Sequence, residues 1–265
     1  MIENNQEILL AFALTVLAGL STGIGSLMAF LSKKTNTKFL SAALGLSAGV
    51  MIYVSFMELM QESVKEFEQL YSPMQAQLFM LLAFFVGIGS IALIDYLVPE
   101  DENPHEVHLE SDKPNQKGLK RTGMMMALAI GIHNFPEGLA TFTSALTNME
   151  IALPIVLAIA IHNIPEGIAV SVPIYHATGS RKKAFIYSFL SGMAEPIGAL
   201  LGFLFLAPIW SPNLNAAILA FVSGIMIYIS FDELLPGTER FGHHHLGLLG
   251  VVLGFMVMAF SLLFV

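Results

Sequence analysis

Residues 130 to 142 read IGIHNFPEGLATF, and residues 159 to 171 read IAIHNIPEGIAVS. The two stretches agree at eight of thirteen positions, including every residue of His-Asn-x-Pro-Glu-Gly. Each copy sits inside an apolar run long enough to cross a bilayer, so costly polar groups recur in pairs where hydrocarbon should exclude them. Around them, apolar runs fall near residues 8 to 31, 39 to 60, 77 to 98, 122 to 146, 151 to 175, 184 to 210, 213 to 235 and 246 to 265. Eight membrane helices are therefore expected, with the duplicated motif in helices four and five.

A second repeat extends the pattern. Residues 49 to 59, GVMIYVSFMEL, match residues 224 to 234, GIMIYISFDEL, at eight of eleven positions, pairing helix two with helix seven. An odd number of crossings separates the members of each pair, so equivalent segments run in opposite directions. This predicts an all-α integral membrane protein with two inverted halves, helices one to four and five to eight, and with helices four and five kinked at the core. No comparable match links helix one with six or three with eight. Residues 1 to 265 are expected to form a single transmembrane domain, interrupted by a cytoplasmic loop over residues 99 to 121.

Composition agrees. Of 265 residues, 55% are hydrophobic and only 12% charged, and the mean hydropathy is +0.71. Soluble domains are roughly a quarter charged. The absence of cysteine removes disulfides, thiolate metal sites and a cysteine nucleophile, and the formal charge of -8 argues against nucleic acid as a partner. Eleven of the twelve basic residues fall in odd-numbered loops, Lys65 being the exception. The positive-inside rule then puts both termini outside the cytoplasm of a multi-pass plasma-membrane protein.

Depth sorts the ionisable residues. His133, His162 and Glu195 each lie about eleven residues into their helices, roughly 17 Å deep at 1.5 Å per residue. Within each motif His and Glu are four apart and share a helical face, with Asn on the flank. Two facing copies would gather His133, Asn134, Glu137, His162, Asn163 and Glu166, joined by Glu195. Three bare carboxylates in hydrocarbon would repel or protonate, whereas one or two divalent cations would hold them ionised. Pro136, Pro165 and Pro196 cannot donate to the carbonyls of Ile132, Ile161 and Gly192, so a kink is expected beside each glutamate.

Other candidates stay open between two readings. Glu58, at the outer end of helix two, and Asp232 and Glu233, at the cytoplasmic end of helix seven, suit either a permeation pathway or interface carboxylates; Asp95 is similar. Met51 suits packing. His105 and His108 in the long loop, and His243 to His245 before helix eight, suit either loose metal capture or a solvated loop.

The HNFPEG and HNIPEG motifs, with the SGMAEPIG segment around Glu195, resemble the ZIP (Zrt-, Irt-like) divalent metal transporters and in particular their bacterial branch. That resemblance implies a binuclear centre. His133, Glu137, His162 and Glu166 would surround one ion, with Asn134, Asn163 and Glu195 at the second and Glu137 and Glu166 bridging; Met51 would join the first. It implies transport of zinc, and also of iron(II), manganese or cobalt, into the cytoplasm across a bacterial inner membrane, with no catalytic cofactor. Imidazole, carboxylate and amide ligands without thiolate fit the same cargo. Partners are then divalent ions and the lipid bilayer, and a homodimer stays open as the assembly. The enzyme alternative is an intramembrane metallohydrolase, which needs a non-ligand base that this ligand set does not spare.

Overall fold

In hydrocarbon every backbone N–H and C=O must be paired within the chain, which leaves helices as the form open to these apolar runs. The computed structural model describes residues 5–31, 37–97, 116–147, 149–206, 209, 211–240, 242–261 and 263. Among them the helices form eight rods. These are α1 (Asn5–Leu31), α2 (Thr37–Val54, a π-turn Ser55–Leu59, then Met60–Glu68), α3 (Pro73–Leu97), α4 (Gln116–Thr147) and α5 (Met149–Thr178). They continue with α6 (Arg181–Gly192 and Ala194–Leu206), α7 (Pro212–Ile229, a π-turn Ser230–Leu234, then Leu235–Arg240) and α8 (His244–Ser261). Six of the eight are long and apolar enough to span a membrane; the other two, α4 and α5, are 32 and 30 residues long and lie at the centre.

Two boundaries differ most from the hydropathy reading. The second rod runs on to Glu68 because Met60–Glu68 is an amphipathic helix that buries Ser63 and Phe67. The fourth begins at Gln116, inside the stretch read as loop. His105 and His108 lie outside the described residues. The prolines act unequally: α4 and α5 are continuous through Pro136 and Pro165, whereas α6 breaks at Met193, one turn ahead of Pro196.

Helices α1, α4, α5 and α6 pack as one group and α2, α3, α7 and α8 as another. They meet where α2 crosses α5 and α4 crosses α7, along an apolar seam that includes Met51, Val54, Ile130, Ile168, Met226 and Ile229. Association between helices in lipid depends on close backbone packing over small residues. Glycine supplies it here, and its positions carry the inverted symmetry. An added Cβ at Gly167 would strike the carbonyl oxygen of Thr22, and one at Gly25 that of Ile164, on the α1–α5 crossing. On the α4–α6 crossing the same collisions join Gly138 to Glu195 and Gly198 to Phe135. The duplicated motif already equates Gly138 with Gly167 and Phe135 with Ile164. Helix α1 is thus the counterpart of α6, Thr22 matching Glu195 and Gly25 matching Gly198.

The second group repeats the device. Gly49 abuts the Val251 carbonyl and Gly254 that of Leu46, while Gly224 abuts Phe84 and Gly87 abuts Phe221. Since α2 and α7 are already in register, α3 becomes the counterpart of α8. Helices α2 and α7 are clamped at both ends by matching hydrogen bonds: Ser63 Oγ donates to the Ala216 carbonyl at 2.7 Å and Ser41 Oγ to that of Thr238 at 2.9 Å. Both π-turns fall on repeat-equivalent residues, SFMEL and SFDEL. At their first residues Ser55 and Ser230 each donate to the carbonyl of the methionine one turn back, Met51 and Met226, at 2.7 Å.

Candidate metal centre

The i, i+4 spacing of histidine and glutamate puts both side chains of each motif on one face, and the crossing of α4 with α5 turns the two faces together. His133 Nε2 lies 3.2 Å from Glu166 Oε1 and 3.3 Å from Glu137 Oε2, and His162 Nε2 lies 2.8 Å from Glu137 Oε1. The imidazole centroids are 6.3 Å apart. Each histidine thus contacts the glutamate of the other motif as well as, for His133, its own. One nitrogen from each of His133 and His162 and one oxygen of Glu166 all lie within 4.8 Å of one another. Ligands about 2.0 to 2.2 Å from a tetrahedral zinc stand roughly 3.3 Å from each other, which these spacings approach.

The second part of the cluster is built on helix crossings. Asn134 Nδ2 donates to the Ser191 carbonyl on α6 at 3.2 Å, and Asn163 Nδ2 donates to the Ala18 carbonyl on α1 at 3.0 Å. These two bonds are equivalents under the inverted symmetry. They anchor the amide nitrogens and leave both Oδ1 atoms without a hydrogen bond. Asn163 Nδ2 also reaches Glu195 Oε1, joining α6 to the motif of α5.

Burial is nearly complete: Glu137 is 9% exposed, and His133, Asn134, His162, Asn163, Glu166 and Glu195 are at 1% or less. Buried polar atoms are almost always hydrogen-bonded. Here Nδ1 of each histidine, Oε2 of Glu166, Oε2 of Glu195 and the two amide oxygens have no hydrogen bond, while the histidine Nε2 atoms face only carboxylate oxygens. A concentration of lone pairs with three carboxylates is unstable without positive charge, and a divalent ion would satisfy the nitrogens and oxygens together.

The remaining candidates are distributed along the rods. Met51 is fully buried in the apolar seam with Met226. Glu58 lies on the π-turn of α2, with a further stretch of helix beyond it, and interacts electrostatically with His162 and Glu137. Asp232 and Glu233 occupy the π-turn of α7, and Glu233 is buried. They line a narrow pocket with Asp95, whose Oδ2 accepts from Tyr228 Oη at 3.4 Å. Sequence reasoning missed Thr22. It occupies the place on α1 that Glu195 holds on α6, is fully buried, and its hydroxyl has no hydrogen-bond partner. The signal was the spacing Gly-x-x-x-x-Ile-Gly, shared by residues 19 to 25 and 192 to 198.

Comparison with known proteins identifies the family. Residues 98–262 match the family described as ZIP Zinc transporter. The chain is 56% identical to the Streptococcus mutans protein named zinc transporter ZupT over 98% of both chains. Proteins of that name from Clostridium perfringens and Chlorobium chlorochromatii are 52% and 57% identical, covering 98% and 97% of this chain and 98% of their own. The duplicated motif, the all-helical bundle built around it and similarity along almost the whole sequence have one common explanation: the chain belongs to the ZIP zinc transporter family.

Proposed function

We propose that this protein carries divalent transition-metal ions, zinc foremost and also iron(II), manganese or cobalt, across the bacterial inner membrane into the cytoplasm. The family is one of transporters, so the hydrolase alternative is set aside. The observation that carries the reading is the convergence of nitrogens and oxygens from two histidines, two asparagines and three glutamates at the crossing of α4, α5 and α6, some facing one another at 2.8 to 3.3 Å and others without any partner. In this reading His133, Glu137, His162 and Glu166 hold one ion, Asn134, Asn163 and Glu195 a second, and Glu137 and Glu166 bridge them. Met51 sits on the neighbouring wall as a further ligand to the first. Imidazole with carboxylate and amide oxygen suits zinc and its borderline neighbours.

Two features support movement of the site. Every ligand except Met51 belongs to the group α1, α4, α5 and α6, while the facing group presents an apolar seam on which the first can rock. Carboxylates stand at matching places of the two π-turns, Glu58 in one and Asp232 and Glu233 in the other, as stations on either side of the centre. π-turns recur at functional sites because they re-aim side chains without ending the helix. The basic residues place the Asp232 end and the long loop with His105 and His108 in the cytoplasm, and both termini outside. Proteoliposomes containing the purified protein should take up zinc at a rate that saturates and exceeds that of empty vesicles. Equal rates would refute the transport reading.

A further inference from the structure

Helix α6 opens with Arg181, Lys182 and Lys183, all exposed, behind the capping Ser180, whose hydroxyl accepts from the Lys183 N–H at 3.3 Å. No ion pair to an acidic side chain is recorded for these three among the described residues. One turn further on, Tyr187, Leu190, Ser191 and Ala194 recur at helical spacing and continue the face that Lys183 begins. That face is one wall of an apolar groove of about 660 Å³; Leu128 and Ile132 of α4 and Phe221 of α7 form the others.

We propose that this groove binds a phospholipid with an anionic headgroup, one acyl chain lying along the groove and the phosphate lying one turn beyond it near Lys183, which shares the groove face, with Arg181 and Lys182 on the same turn adding to the positive field. Length fits: on α4 the groove lining runs from Met124 to Pro136, a rise of roughly 18 Å and a little over half of the ~30 Å hydrocarbon thickness, so the groove spans one leaflet. Polarity fits too. The Ser191 hydroxyl donates to the Ser188 carbonyl and the Ser191 carbonyl accepts from Asn134, which leaves the groove wall little capacity to solvate an ion and suits a hydrocarbon chain. Basic pockets between membrane helices select anionic headgroups. The charge is confined to one end of the inverted pair, because the positions on α1 equivalent to Arg181, Lys182 and Lys183 are Ile8, Leu9 and Leu10.

The groove also touches both helix groups, with α4 and α6 on one side and Phe221 on the other, and it reaches Pro136 beside the metal cluster. A bound chain therefore occupies space that changes when the groups shift, so lipid occupancy and the conformation of the bundle depend on each other. The site stands on the groove and the basic cluster alone and does not require the metal reading.

Native mass spectrometry of the full chain in detergent, titrated with phosphatidylglycerol and with phosphatidylcholine of the same acyl chains, tests the site. One phosphatidylglycerol should be retained per chain, at least about tenfold more tightly than phosphatidylcholine. Replacing the three basic residues together (R181Q, K182Q, K183Q) should bring the two lipids to equal affinity. Gly131→Leu should weaken both lipids, since Gly131 lines the groove and an added Cβ there meets nothing nearer than the Ser191 Cα at 4.0 Å. Hydrogen exchange of residues 184–194 should slow with phosphatidylglycerol in the unsubstituted protein, a readout that needs no variant to fold. Equal affinities for the two lipids, a preference that survives the triple replacement, retention unchanged in Gly131→Leu, or exchange indifferent to lipid would each overturn the proposal.

Discussion

Glu166→Gln removes one negative charge from the buried cluster while keeping shape and volume. Glu166 is fully buried, its Oε2 has no hydrogen bond, and Oε1 lies 3.2 Å from His133 Nε2. In the proposed site that oxygen would stand about 2.1 Å from a doubly charged ion. Even at the dielectric constant of water, a unit charge at that distance from a +2 ion contributes about 4 kcal/mol, close to a thousandfold in affinity. The glutamine carbonyl is a weaker ligand and recovers part of this, so a loss of roughly 100- to 1000-fold is expected. Calorimetric titration of purified protein with zinc measures it directly, with the thermal transition of the metal-free protein as the control for folding. A folded Glu166→Gln variant that binds zinc within threefold of the unsubstituted protein would show that the carboxylate is no ligand.

Further outcomes follow from the same geometry. Glu195→Gln, at the second position, should lower the number of bound zinc ions from two to one by elemental analysis after desalting, while Glu137→Ala and Glu166→Ala should each abolish zinc uptake into proteoliposomes. Gly138→Val should lower the thermal transition and weaken stability by about 1 to 3 kcal/mol, because the new side chain meets the Glu195 backbone, whereas Gly131→Ala should be neutral or stabilising by up to about 1 kcal/mol. His105→Ala should leave most zinc uptake intact in the same flux assay, since the sequence puts His105 in a polar stretch between the membrane runs, apart from the duplicated motif.

The centre of this protein was legible because its chemistry is incompatible with its surroundings. Histidine, asparagine and glutamate within apolar runs stand out whatever the fold, and their duplication at matching depth implied a shared location. Glu195 was found the same way. The relation of α1 to α6 and of α3 to α8 was not legible, since those pairs share little beyond glycines at crossings. Backbone contact constrains a glycine position and leaves its neighbours free to differ, so Thr22 and Glu195 occupy equivalent places with the same packing. The π-turns were invisible for another reason: SFMEL and SFDEL are compatible with ordinary helix, and the extra residue per turn becomes apparent only from the backbone hydrogen bonds. The extension of α2 to Glu68 was hidden by its charges, which hydropathy reads as the end of a span although Ser63 and Phe67 still face the bundle.

The account stands or falls on where the cargo rests. Zinc-edge anomalous diffraction from crystals of the full chain grown with zinc should give a peak between α4 and α5 within about 2.2 Å of ligand atoms from His133, His162 and Glu166, and a second beside Asn134, Asn163 and Glu195. Zinc bound elsewhere in the bundle, with this cluster free of anomalous signal at saturating metal, would contradict it.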